Sequence, residues 1–136
     1  CLIDISVNAH IPESYVESLT LRLDVYRRIA DIRNKEDSLD VKDELKDRFG
    51  EIPESVLGLI DIALIRNCAN AMGIYEIRQT DTNVLLFVKE IKSPKVIELL
   101  SRLNGRAMLS AGNKPYITIR CGGGSSLDML KKVFKI

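Results

Sequence analysis

Asp43-Glu44-Leu45-Lys46-Asp47-Arg48-Phe49-Gly50-Glu51-Ile52-Pro53-Glu54 is the stretch on which the fold turns. It holds a helix end, a glycine turn and a proline-led helix start. Val41, Leu45 and Phe49 recur every four residues, so a helix from about Ser38 to Phe49 presents a narrow apolar face. Gly50 stands just past it, where a left-handed backbone favours glycine. Pro53 suits the first turn of the next helix, whose amides have no intrahelical acceptor. That helix, about 54–72, is apolar almost all round, from Val56 and Leu57 through Ile65 to Ala69 and Met72. Such a helix is a central one, packed on more than one side. Gly73 ends it.

Upstream, Leu2–Val7 has a strand-like pattern, which Ile11-Pro12 interrupts. Ser14 with Glu17 has the spacing of a capping box, predicting a helix that starts there. Val16, Leu19, Leu23, Tyr26 and Ala30 follow at steps of three and four and predict its buried stripe. The helix fades in the polar run Arg33–Asp37.

Downstream of Gly73 the period shortens. Ile74–Thr80 and Val84–Lys89 are strand-like and flank the turn Asp81-Thr82-Asn83. Ser93-Pro94 starts a short helix that stops at Asn104-Gly105. Arg106–Ser110 and Tyr116–Arg120 form a second strand pair around Gly112-Asn113. Gly122-Gly123-Gly124 connects to a last helix, with Ser125 and Asp128 as its capping box. The predicted class is therefore α+β: an N-terminal strand and three-helix unit, then a β-β-α-β-β-α unit. We expect one domain over 1–136, mainly helical in 1–73 and mixed in 74–136.

Composition agrees with a globular domain. The chain has 136 residues, 46% hydrophobic and 29% charged, with a net charge of +1. These values exclude a disordered tail, a collagen-like chain and a disulfide scaffold. Apolar runs are too short for a membrane-spanning helix, and the start lacks both a signal-peptide pattern and an initiator Met, which suggests a fragment or processed chain. Cys1, Cys68 and Cys121 lie far apart in no metal-ligand spacing, so a reducing, cytoplasmic setting fits. His10 has no second histidine to share a zinc ion.

The near-neutral total conceals a division. Residues 1–72 carry nine bases and fourteen acids, a net −5, while residues 73–136 carry eleven bases and five acids, a net +6. Oppositely charged halves imply mutual packing or different partners. No nucleophile–base pair or acid–base dyad stands out, so no enzymatic activity is expected of this chain. The glycine run lacks the Gly-Lys-Ser/Thr ending of a phosphate loop. Glu44 and Asp47, three apart, project from one helix face near its C-terminal end, with Asp40 and Asp43 nearby. The helix dipole disfavours acids there, a small cost that a basic partner offsets.

The run from Glu44 to Arg66, ELKDRFGEIPESVLGLIDIALIR, closely resembles the C-terminal domain of the bacterial transcription-repair coupling factor (Mfd) family. Ile3-Asp4-Ile5, Ala9, Ile11-Pro12, Tyr15, Arg22-Leu23, Tyr26 and Arg28-Ile29-Ala30 extend the resemblance upstream. Ala69, Gly73 and Ile74 extend it downstream. It covers about residues 1–78. The resemblance implies a parent that is an ATP- and magnesium-binding translocase on double-stranded DNA. That parent binds stalled RNA polymerase and recruits the repair protein UvrA through a UvrB-like module. It further implies that this domain has no motor or cofactor of its own. Instead it docks on the UvrB-like module, masks UvrA binding and restrains the motor. Its interface acids correspond to Glu44 and Asp47, which would face arginines. Arg48, Phe49, Gly50 and Pro53 match as structural positions. A reading of a different class is a nucleic-acid-binding module using the basic C-terminal half.

Overall fold

Periodicity changes at Gly73, and the elements change with it. The computed structural model describes residues 2–5, 9–80, 83–103, 107–120 and 126–134. In chain order the elements are β1 (Leu2–Asp4), α1 (Leu19–Ala30), α2 (Lys35–Phe49), α3 (Glu54–Ala71), β2 (Ile74–Gln79), β3 (Asn83–Val88), α4 (Pro94–Arg102), β4 (Ala107–Ser110), β5 (Tyr116–Arg120) and α5 (Ser126–Val133). The α+β class and the β-β-α-β-β-α order are as the periodicity predicts. The chain divides into two compact units, residues 7–67 and residues 1–6 with 68–136, the boundary falling inside α3.

The sheet unit is a five-stranded mixed sheet of order β1-β2-β3-β5-β4. β1 is parallel to β2, and every other pair is antiparallel. Register sets the core. Ile77 lies opposite Leu86, and Leu86 opposite Ile117; alternate residues of β3 and β5 share one face, and a bulge between Ile74 and Glu76 brings Ile74 of β2 to it as well. Ile74, Ile77, Val84, Leu86, Val88, Ile117 and Ile119 are buried there. α4 and α5 add buried Val96, Leu99, Leu130 and Val133, with Phe134 just past α5. The Arg102 guanidinium donates to the Val133 carbonyl at 3.2 Å, tying the ends of α4 and α5 together. The other sheet face carries half-buried Leu85, Phe87, Tyr116 and Thr118. The Asn104-Gly105 stop, the triple glycine and Ser125 lie outside the described residues, as do Asp81 and Thr82 of the first turn.

In the helical unit, two helix starts depart from the predicted ones. The Ser14–Glu17 capping box is not where α1 begins. Residues 12–15 form a turn in which the Tyr15 and Val16 amides donate to the Pro12 carbonyl at 3.0 and 3.2 Å. Arg22 then donates to the carbonyls of Val16 (2.9 Å) and Glu17 (3.1 Å), satisfying them outside a helix. Ser18 is the true N-cap, its hydroxyl accepting from the Leu21 amide at 3.3 Å. The predicted stripe fails as well. Val16 is buried, but Leu19 is 62%, Leu23 48% and Tyr26 37% exposed, and Val25 with Ile29 forms the buried side of α1.

α2 starts three residues before the predicted Ser38. Asn34 caps it, accepting from the Asp37 amide at 2.8 Å. Asp37 reaches back to accept from the Arg33 amide at 3.1 Å. The polar run Arg33–Asp37 is thus a reciprocally capped start rather than a frayed end. Ser38 is buried, and its hydroxyl donates to the Lys35 carbonyl at 2.6 Å. α3 buries Val56, Ile60, Ala63, Leu64 and Ile65 within this unit, and Ala69 lies past the unit boundary.

Candidate functional site

The site lies on α2 and the turn after it. Val41 and Leu45 are buried, which orients the helix and decides what its other faces carry. At roughly 100° per residue, Glu36, Asp37, Asp40, Asp43, Glu44 and Asp47 fall on one side. Lys35, Lys42 and Lys46 fall on another, beside Leu39. The lysines and the acids of α2 therefore lie on separate sides, while Arg48 borders the acidic side and pairs with Glu44 at i,i+4.

Glu44 and Asp47 share the acidic side, as their spacing predicts, yet their surroundings differ. Both Glu44 carboxylate oxygens hold guanidinium groups. Oε2 accepts from Arg28 Nε of α1 at 3.0 Å, and Oε1 lies 3.8 Å from Arg48 Nη1 one turn along α2. The Glu44 side chain is 37% exposed and that of Arg28 54%, so this is a surface pair worth about 0.2–1 kcal/mol. Asp47 is exposed and makes no ion pair among the described residues. One carboxylate is occupied, and its neighbour one turn on is open.

The four supporting positions hold the turn. Arg48 lies with its guanidinium carbon 5.0 Å from the Phe49 ring centre. Phe49 packs on Tyr15, ring centres 5.7 Å apart and tilted by 56°. Gly50 has φ of 92°, a region L side chains avoid, and its amide donates to the Lys46 carbonyl at 3.1 Å. Pro53 precedes α3, its carbonyl accepting from the amides of Val56 (3.1 Å) and Leu57 (3.0 Å).

Two residues emerge here that the motif alone did not single out. Tyr15 clamps the end of α2: its hydroxyl lies 3.2 Å from the Leu45 carbonyl and 3.0 Å from that of Gly50. Burial, and secondarily the negative charge of Glu51, pushes the Tyr15 phenol above its usual value. Arg28 is the second. Its partner is sixteen residues away, so no local spacing rule connects the two; a base in the last turn of α1 is explained by the helix dipole alone. Arg28 also lines a cleft of about 150 Å³ with Asp31, Ile32, Asp37, Asp40 and Val41.

The arrangement is an exposed carboxylate, Asp47, on a helix end braced by Tyr15. Among the described residues no group of His, Cys, Asp and Glu could hold a metal ion. No helix among them is long and apolar enough to cross a membrane.

A family model described as the TRCF domain matches residues 5–99. The transcription-repair-coupling factor of Bacillus subtilis (strain 168) is 29% identical over 137 residues, covering 96% of this chain and 12% of that protein. The Rickettsia prowazekii protein of the same name is 30% identical over 114 residues, covering 82% of this chain and 10% of its own length. That of Mycobacterium bovis is 39% identical over 75 residues, 55% of this chain and 6% of that protein. The chain thus spans about a tenth of these relatives. A crystal structure of the C-terminal domain of a transcription-repair coupling factor superposes with a TM-score of 0.83 at 18% identity. It covers 97% of this chain and 86% of that one, a likeness of fold.

Proposed function

The chain belongs to the TRCF domain family, and from that premise we propose that it is a regulatory latch within a transcription-repair coupling factor. Its acidic α2 face docks on the UvrB-like module of the parent chain. Docking hides the UvrA-binding surface and restrains the ATP-dependent translocase until RNA polymerase is engaged. The observation that carries the reading is the open Asp47 carboxylate one turn from Glu44, on the acidic side of a helix whose end is braced by Tyr15. An acid placed against the helix dipole with no partner of its own is what a basic docking surface completes.

Energetics suit a latch. Truncating one partner of a charge-assisted hydrogen bond costs roughly 1–3 kcal/mol. Two such contacts hold a switch closed while leaving it open to competition. The test is Glu44→Ala with Asp47→Ala in the intact parent. Basal ATPase and UvrA capture should both rise. A double variant as repressed as the unaltered protein would sink the latch.

A second reading rests on charge: the sheet unit carries eleven bases and six acids, against nine and thirteen in residues 7–67. A net +5 could hold duplex DNA. Titration of duplex at two salt concentrations separates the readings, because phosphate binding has a steep salt slope.

A further inference from the structure

We propose that Arg28 gates the docking face: its guanidinium exchanges between Glu44 and the adjoining acidic cleft, and a partner's cation reaches Glu44 only after Arg28 has left it. The inference rests on the docking reading above and names what sets the strength of that docking.

Both oxygens of Glu44 are already engaged, by Arg28 at 3.0 Å and by Arg48 at 3.8 Å. A third cation approaching this carboxylate meets two positive charges, so exchange is favoured over addition. Arg28 is the group that can leave. It comes from α1, whereas Arg48 shares a helix with Glu44 and lies against Phe49. The Arg28–Glu44 pair is half exposed, which makes it weak and readily exchanged.

The cleft supplies the second position. Arg28 lines it together with Asp31, Asp37 and Asp40. Asp37 is committed to the Arg33 amide, while Asp40 makes no ion pair among the described residues. At about 150 Å³ the cleft has room for a guanidinium, and the long arginine stem allows the head to pivot. Arg28 thereby keeps a carboxylate partner in both positions. Exchange then costs less than stripping the guanidinium bare. Asp47, open throughout, makes the first contact, and Glu44 closes the latch second.

The intact parent protein reports on this through UvrA. A ligand that binds only the open state has its apparent Kd raised in proportion to latch closure. Arg28→Gln frees Glu44 and tightens the latch, so UvrA capture weakens by roughly two- to five-fold. Arg28→Lys, which keeps the charge but loses the planar fork, gives a smaller change in the same direction. Asp40→Asn removes a receiving carboxylate and strengthens UvrA capture, and this effect vanishes in the Arg28→Gln background. Thermal melts confirm that each variant is folded.

If Arg28→Gln strengthens UvrA capture, Arg28 supports Glu44 and the gate is wrong. No change with Arg28→Gln overturns it equally. Glu44→Gln with Asp47→Asn separates the levels. An unchanged UvrA affinity in that double variant removes the docking reading and the gate with it. A strengthened affinity, with Arg28→Gln inert, removes the gate alone.

Discussion

The sheet unit and the helical unit bury their apolar residues under different constraints. In the sheet, pairing settles the choice. Once Ile77 faces Leu86 and Leu86 faces Ile117, alternate side chains of β3 and β5 follow to the same side, and a bulge between Ile74 and Glu76 returns Ile74 of β2 to it. In the helical unit, α1 carries two apolar sets. Leu19, Leu23 and Tyr26 recur at helical spacing and stay exposed, while Val25 and Ile29 are buried. A strand whose register is set has one answer, and a helix with two stripes has two. The difference teaches where apolar spacing is decisive and where it only proposes candidates.

The contrast can be broken at its strongest point first. Leu86→Ala in the sheet core should lower unfolding free energy by about 2–5 kcal/mol, because the central strands leave little room to collapse around the cavity. Urea titration measures it. A loss under about 1 kcal/mol would mean that the sheet face is loosely packed and the contrast false.

Next comes the clamp on α2. Tyr15→Phe removes the hydroxyl that reaches the Leu45 and Gly50 carbonyls and should cost about 1 kcal/mol at neutral pH. The phenol titrates above its unfolded value of 10.0, so the folded state holds this proton more tightly. Its stabilisation is complete below pH 10 and is lost as pH rises through the folded value. Urea titrations of both proteins at pH 8 and at pH 10.5–11.5 should show the difference narrowing at the alkaline end.

Asn34→Ala tests whether the polar run is a helix start. It should cost about 1 kcal/mol, with helical circular dichroism reduced. The smallest effect belongs to the exposed stripe. Leu23→Ala should fall within about 0.5 kcal/mol of the unaltered chain. A loss as large as that of Leu86→Ala would erase the distinction between the two units.

Much of the fold is legible in the sequence. The change of period at Gly73 located the boundary between helices and strands, and the second strand pair followed from the residues flanking Gly112-Asn113. The start of α1 was not legible. Ser14 and Glu17 satisfy the capping-box spacing, but Pro12 and Arg22 engage the neighbouring backbone, and a pattern of side chains does not reveal which carbonyls are already taken. The candidate site divides the same way. Glu44 and Asp47 were visible as a pair because three residues along a helix is a local relation. That Glu44 is occupied and Asp47 open was invisible, because Arg28 belongs to another helix.

What this chain's sequence determined by itself is local: the types of its elements, the glycine at φ of 92° after α2, and the acidic side that α2 carries. Tertiary structure alone decided which stripe of α1 lies inside, that β1 pairs parallel with β2, and that Arg28 sits on Glu44. The physical reason is range. Backbone propensity and side-chain period act over a few residues, whereas burial and ion pairing between separate elements depend on how those elements pack.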